Sequence, residues 1–179
     1  MGYRGVAASV AGFVQQLAVG YVAHGYWFYV KGWIPEGKDM AKIDAKIIAQ
    51  YDLDVSKWTR ARQKKAGQAG VQYLRCDRFF VIVATHGQHP FFEGEGRQVR
   101  DLRRCPLFFN GYSIGCRKGR DGQWHASVRI ERETFKALKG RFTQIAVHHS
   151  VDELVRELRA IPFEPYAPVR DQCASSCAP

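Results

Sequence analysis

Apolar positions along the chain follow two rhythms. Val6, Val10, Phe13, Val14 and Leu17 recur at helical spacing, which predicts a helix over 6–18 with one apolar face, closed by Gly20. Residues 26–34, YWFYVKGWI, are aromatic and β-branched without polar alternation, so they read as a buried strand that stops at Pro35-Glu36-Gly37. Asp39 is the expected N-cap of a second amphipathic helix, marked by Met40, Ile43, Ile47, Ile48 and Tyr51. A third, short helix over 56–66 ends at Gly67 or Gly70. Two apolar runs on either side of Cys76-Asp77 then predict a β-hairpin. Its second strand, Phe79–Ala84, has no polar position and is expected at the centre of a sheet, buried on both faces.

Further on, HPFFEGEG reads as a loop and RQVRDLRRC as a helical turn. Strands over Tyr112–Arg117 and Trp124–Ile130 flank a tight turn at Asp121-Gly122. In the second of them Trp124, Ala126, Val128 and Ile130 alternate with His125, Ser127 and Arg129, the pattern of a strand with one wet face. Phe135, Leu138, Phe142 and Ile145 mark another helix, and Ser150 with Glu153 forms a capping box that opens one more. The order predicts an α+β fold: a single domain over 1–170, with about five or six mostly antiparallel strands and helices packed on one side, then a frayed polar tail over 171–179.

Charge changes this picture by its location. The chain has 27 Lys and Arg against 17 Asp and Glu, a net charge of +10. Residues 1–54 balance, five against five, and residues 121–179 balance, eight against eight. The whole excess lies in 55–120, with fourteen basic and four acidic residues. It falls in three groups. The short third helix carries Lys57, Arg60, Arg62, Lys64 and Lys65, of which Lys57, Arg60 and Lys64 share a face. Arg97, Arg100 and Arg104 repeat that spacing, and Arg117, Lys118 and Arg120 crowd a hairpin tip. Cations confined to one segment suit phosphates spaced along a nucleic-acid backbone, so nucleic acid, DNA or RNA, is the expected partner. Trp58, inside the basic helix, either stacks on a base or docks the helix on the core, and docking is the favoured reading.

Candidate chemistry adds an alternative. His86 and His89 follow the central strand, with Glu93, Glu95 and Asp101 close behind, a set from which a small nuclease or strand-transfer enzyme could be built. Only that alternative calls for a divalent metal; no phosphate-binding or dinucleotide motif implies a cofactor. A module that binds an acidic protein is a third reading, since it shares the charge pattern. Five cysteines without a C-x-x-C pair give neither a disulfide framework nor a zinc site, and Cys105 and Cys116 are expected to pack in apolar strands. A cytoplasmic protein with no membrane span is the resulting expectation.

Overall fold

The structure is a computed structural model that describes Tyr3 and residues 5–176, apart from the side chains of Lys57, Ser175 and Ser176. The described residues form seven helices and eight strands, the expected α+β class. The strands are β1 (Val6–Ala7), β2 (Phe28–Trp33), β3 (Val71–Cys76), β4 (Phe79–Ala84), β5 (Arg100–Asp101), β6 (Leu107–Phe109), β7 (Tyr112–Lys118) and β8 (Trp124–Ile130). The helices are α1 (Val10–Gln15), α2 (Met40–Gln50), α3 (Lys57–Lys65), α4 (Pro90–Glu95), α5 (Arg132–His148), α6 (Val151–Arg159) and α7 (Ala167–Ser176). Strands pair in the orders β1-β3-β4-β2-β5 and β6-β7-β8. By contacts the chain divides into two compact units, one of residues up to Pro106 with Gly115–Ala126, the other of Leu107–Ile114 with the residues from Ser127 on.

In the first unit β4 lies between β3 and β2, antiparallel to both, in a register that sets Phe79 opposite Cys76 and Trp33. Its position is the one expected from its unbroken apolar run, and Val81, Val83 and Ala84 are fully buried. A strand buried on both faces needs cover on both, so helices flank this sheet on two sides rather than one. Val30, Val71, Tyr73 and Ile82 face Tyr51, Leu53 and Phe91, while Phe13 of α1 meets Phe79, 5.7 Å between ring centroids in an edge-on contact. β2 is only half buried: Trp33 is 68% exposed and Lys31 faces solvent, because β5 pairs with Phe28 and Tyr29 alone.

Two helix boundaries differ from expectation. Val6 is extended, since β1 pairs in parallel with Arg75 and Cys76, and the helix starts only at the Ser9 cap, whose hydroxyl accepts from the Gly12 N–H at 3.1 Å. Nor does it stop at Gly20; it runs through a π-helical segment, Gln16–Tyr21, and a 3₁₀ turn to Gly25, where a φ of 92° ends it. α2 is held to the sheet by a buried network that the sequence does not announce. Arg75 of β3 donates from Nε and Nη2 to the Asp44 carboxylate at 2.9 and 2.8 Å, and the Tyr73 hydroxyl donates to the same carboxylate at 2.5 Å.

In the second unit α6 opens with the expected capping box of Ser150 and Glu153. Of the tail expected to fray over 171–179, residues 171–176 belong to α7, which buried Val169 and Gln172 hold, the Gln172 amide bonding the N–H and C=O of Ile130 at 2.8 and 3.1 Å; residues 177–179 lie outside the described residues. Ser127, expected on a wet face, is 7% exposed.

Candidate nucleic-acid interface

α3 forms for local reasons. Ser56 caps it, accepting from the Thr59 N–H at 3.1 Å, its residues are mostly good helix formers, and Gly67 ends it at a φ of 76°. No described residue of this helix is buried; only Thr59 and Gln63 are half covered. A helix polar all round is not held by its own burial. Arg60 ties it to the preceding turn, donating from Nε and Nη2 to the Val55 carbonyl at 3.3 and 3.0 Å. Trp58 corrects the docking expectation: it is 81% exposed and so anchors nothing. Lys57 opens the helix, and its side chain lies outside the described residues.

Three arginines of the basic segment serve the fold. Arg75 is paired with Asp44, and Arg78 donates to the Pro35 carbonyl at 2.6 Å. Arg103 forms a two-pronged pair with Asp101, 2.7 Å at Nη2, and lies 4.6 Å from the centroid of the Trp27 ring. That pairing holds the Asp101 carboxyl below its usual range against the opposing effect of its burial, which is the largest single influence on it. The other cations of the segment are those singled out in the sequence. The ten whose side chains are described are all exposed, and none is in a salt bridge among the described residues. All ten belong to the first unit; the second, with eight basic and seven acidic residues, is nearly neutral.

Their grouping differs in part from the sequence reading. Arg97, Arg100 and Arg104 do not share a helix face. Arg97 is in a 3₁₀ turn, Arg100 is in β5 and Arg104 follows it in a turn, because residues 100–101 are drawn into pairing with β2. Pairing with β2 instead brings Arg97 and Arg100 together with Lys31 around one groove of about 310 Å³. Lys31 comes from the charge-neutral N-terminal third and was not singled out; its being the one charged residue in the run 26–34 was the available signal. Arg117, Lys118 and Arg120 sit at the β7–β8 turn, where Asp121 accepts from the Gln123 N–H at 3.0 Å and meets His125 at 2.8 Å.

HPFFEGEG is not a loop but the helix α4, and His89 is its cap. Nδ1 of His89 accepts from the Phe91 N–H at 3.1 Å, with Pro90 at the first helical position. Such an acceptor must be unprotonated, so the neutral ring carries its proton on Nε2. Burial lowers its pKa in the same direction, against a smaller opposing effect of Asp52. In this arrangement His89 offers a hydrogen-bond donor and no free lone pair for proton abstraction. His86 is exposed, its ring 6.1 Å from that of Phe28, whereas His89 lies 6.4 Å from Tyr51. Among the described residues no three His, Cys, Asp or Glu gather as a metal site.

His89 and Arg60, far apart in sequence, line one cleft of about 250 Å³. Its floor is Tyr51, Leu53 and Val71, and Gln63, Gln68 and Gln88 stand around it. The Tyr51 hydroxyl donates to Glu95 and is itself contacted by Gln50, and burial with the nearby carboxylate raises its pKa well above the usual tyrosine range. Cys76 and Cys116 are buried, and burial pushes the Cys116 thiol up to about 11; Cys105 is exposed in a turn, not packed in a strand. Among the described residues no helix is long and apolar enough to cross a membrane. No family model, curated protein or solved structure matches the chain.

Proposed function

We propose that the protein binds nucleic acid, DNA or RNA, by phosphate contacts from the cations of residues 55–120. One observation carries the reading. The segment's arginines divide into those that hold the fold together and those, with Lys64, Lys65 and Lys118, that are exposed and free of ion pairs among the described residues. Mutual repulsion makes ten unpaired cations in one unit unfavourable, and a phosphate backbone relieves that cost by releasing its condensed counterions. Guanidinium groups add bidentate phosphate bonds, and the groove of Lys31, Arg97 and Arg100 presents three cations at once.

Binding of an oligonucleotide as a function of salt tests this. Changing Arg62, Lys64 and Lys65 to Ala should lower the log–log salt slope by about 2 to 3, since each lost phosphate contact removes roughly 0.7–0.9. Lys42 and Lys46 of α2 are the control, exposed cations whose replacement should leave the slope nearly unchanged. Equal losses from both sets would reduce the protein to a diffuse polycation. Preference for an acidic protein in competition would replace nucleic acid by that partner.

A further inference from the structure

We infer that the cleft beside α3 is a pocket for one unpaired nucleobase, so that the partner strand is engaged single-stranded at this point; the inference rests on the nucleic-acid reading above. At about 250 Å³ the cleft lies just below the roughly 300–1,000 Å³ of drug-sized pockets, which suits one base with its sugar and not a base pair. Its chemistry is that of a base reader. Leu53 and Val71, buried in the core, supply an apolar floor for a planar ring. Above it stand Gln63, Gln68 and Gln88, whose side-chain amides make no hydrogen bond among the described residues. A primary amide presents a donor beside an acceptor, the pattern that matches the edge of a base.

The lining carries charge of both signs, the guanidinium of Arg60 and the carboxylate of Asp52. Arg60 uses Nε and Nη2 on the Val55 carbonyl, which leaves Nη1 for the phosphate that accompanies a base. The backbone that carries Gln68 and Gln88 is paired before any ligand arrives. Ala69 donates to the Gln88 carbonyl at 3.0 Å and Gln88 to the Gly67 carbonyl at 3.2 Å, a bridge that fixes Gln68 against Gln88. Gly87 permits it: a Cβ there would lie 2.6 Å from the Ala69 nitrogen. The paired backbone spares the main chain from ordering on binding, while the amide side chains order with the ligand.

The test compares two DNA strands of equal length and charge, one with bases and one abasic, by fluorescence anisotropy on the full chain. The wild type should bind the base-bearing strand roughly 5- to 150-fold more tightly, the range of one bidentate side-chain contact with a base edge. Changing Gln63, Gln68 and Gln88 together to Ala should abolish most of that preference while leaving the salt slope as it was; circular dichroism checks that the variant is folded. Equal binding of both strands by the wild type would overturn the base pocket and leave phosphate binding intact. A preference that survives the triple change would overturn it too. If neither strand binds at low salt, both readings fall.

Discussion

α2 and α3 follow each other in the chain and are similar in length, yet they join the protein by opposite means. α2 turns Ile47 and Ile48 toward the core and places Asp44 in a buried pair with Arg75. α3 has no buried residue among those described, and a cation, Arg60, helps tie it to the preceding turn. The difference shows how a basic segment is divided. An arginine taken into the interior must have a carboxylate with it, since an unpaired buried charge costs several kcal/mol. Where no carboxylate is provided, as on α3, charge stays in solvent and its energy is available to an anion. α3 has no acidic residue at all, whereas α2 contains Asp44 within its sequence and Asp39 at its cap.

Breaking the anchored side of this comparison should have the largest effect. Asp44→Ala strands Arg75 and leaves the Tyr73 hydroxyl without its acceptor, which should cost about 3–5 kcal/mol in urea unfolding. A loss under about 1 kcal/mol would show that the pair is not what holds α2. Next comes the frame of the cleft. Gly87 has a φ of 139° and its Cβ would meet the Gly67 carbonyl oxygen at 2.7 Å, so Gly87→Ala should lose about 1–3 kcal/mol. The same change should weaken oligonucleotide binding more than it alters the salt slope.

A smaller effect is expected of His89. His89→Ala removes a helix cap and should cost about 1 kcal/mol. The wild type adds a pH dependence of definite sign. Its folded-state pKa lies below the ordinary 6.5, so the unfolded chain binds the proton better. The cap's contribution is therefore complete above about pH 6.5 and declines as the pH falls toward the folded-state pKa; in His89→Ala that decline should be missing from the stability profile. Least of all should happen to stability when Arg62, Lys64 and Lys65 become Ala. Exposed and unpaired, they should change it by no more than about 0.5 kcal/mol, while the same variant loses salt-dependent binding. Stability and binding would then separate across the two helices. A large stability loss in this variant would instead mean that α3's cations support the fold.

Much of the architecture was legible from the sequence because its causes are local. Asp39 and Ser150 cap the helices expected of them, and β8 has the limits that its alternation predicts. Phe79–Ala84 is central because a strand with no polar position has no face to give to water. Local rules erred where a distant partner outweighed them. Pairing with β3 kept Val6 out of the helix, pairing with β2 drew Arg100 into a strand, and packing of Phe91 in the core made α4 from a segment rich in glycine. The basic segment itself, and its separation from two neutral thirds, is a property of the sequence alone.

Which of its charges remain free was decided only by the tertiary structure. Asp44 and Arg75 are 31 residues apart, so the carboxylate that pairs with Arg75 is not among its neighbours in sequence. The cleft is tertiary in the same sense: Arg60 from one helix and His89 from the cap of another both line it. Caps, turns and periodicity depend on neighbours within about four residues, which a sequence states directly. An ion pair or a pocket depends on which distant segments the core brings together, and that follows from packing the whole chain at once.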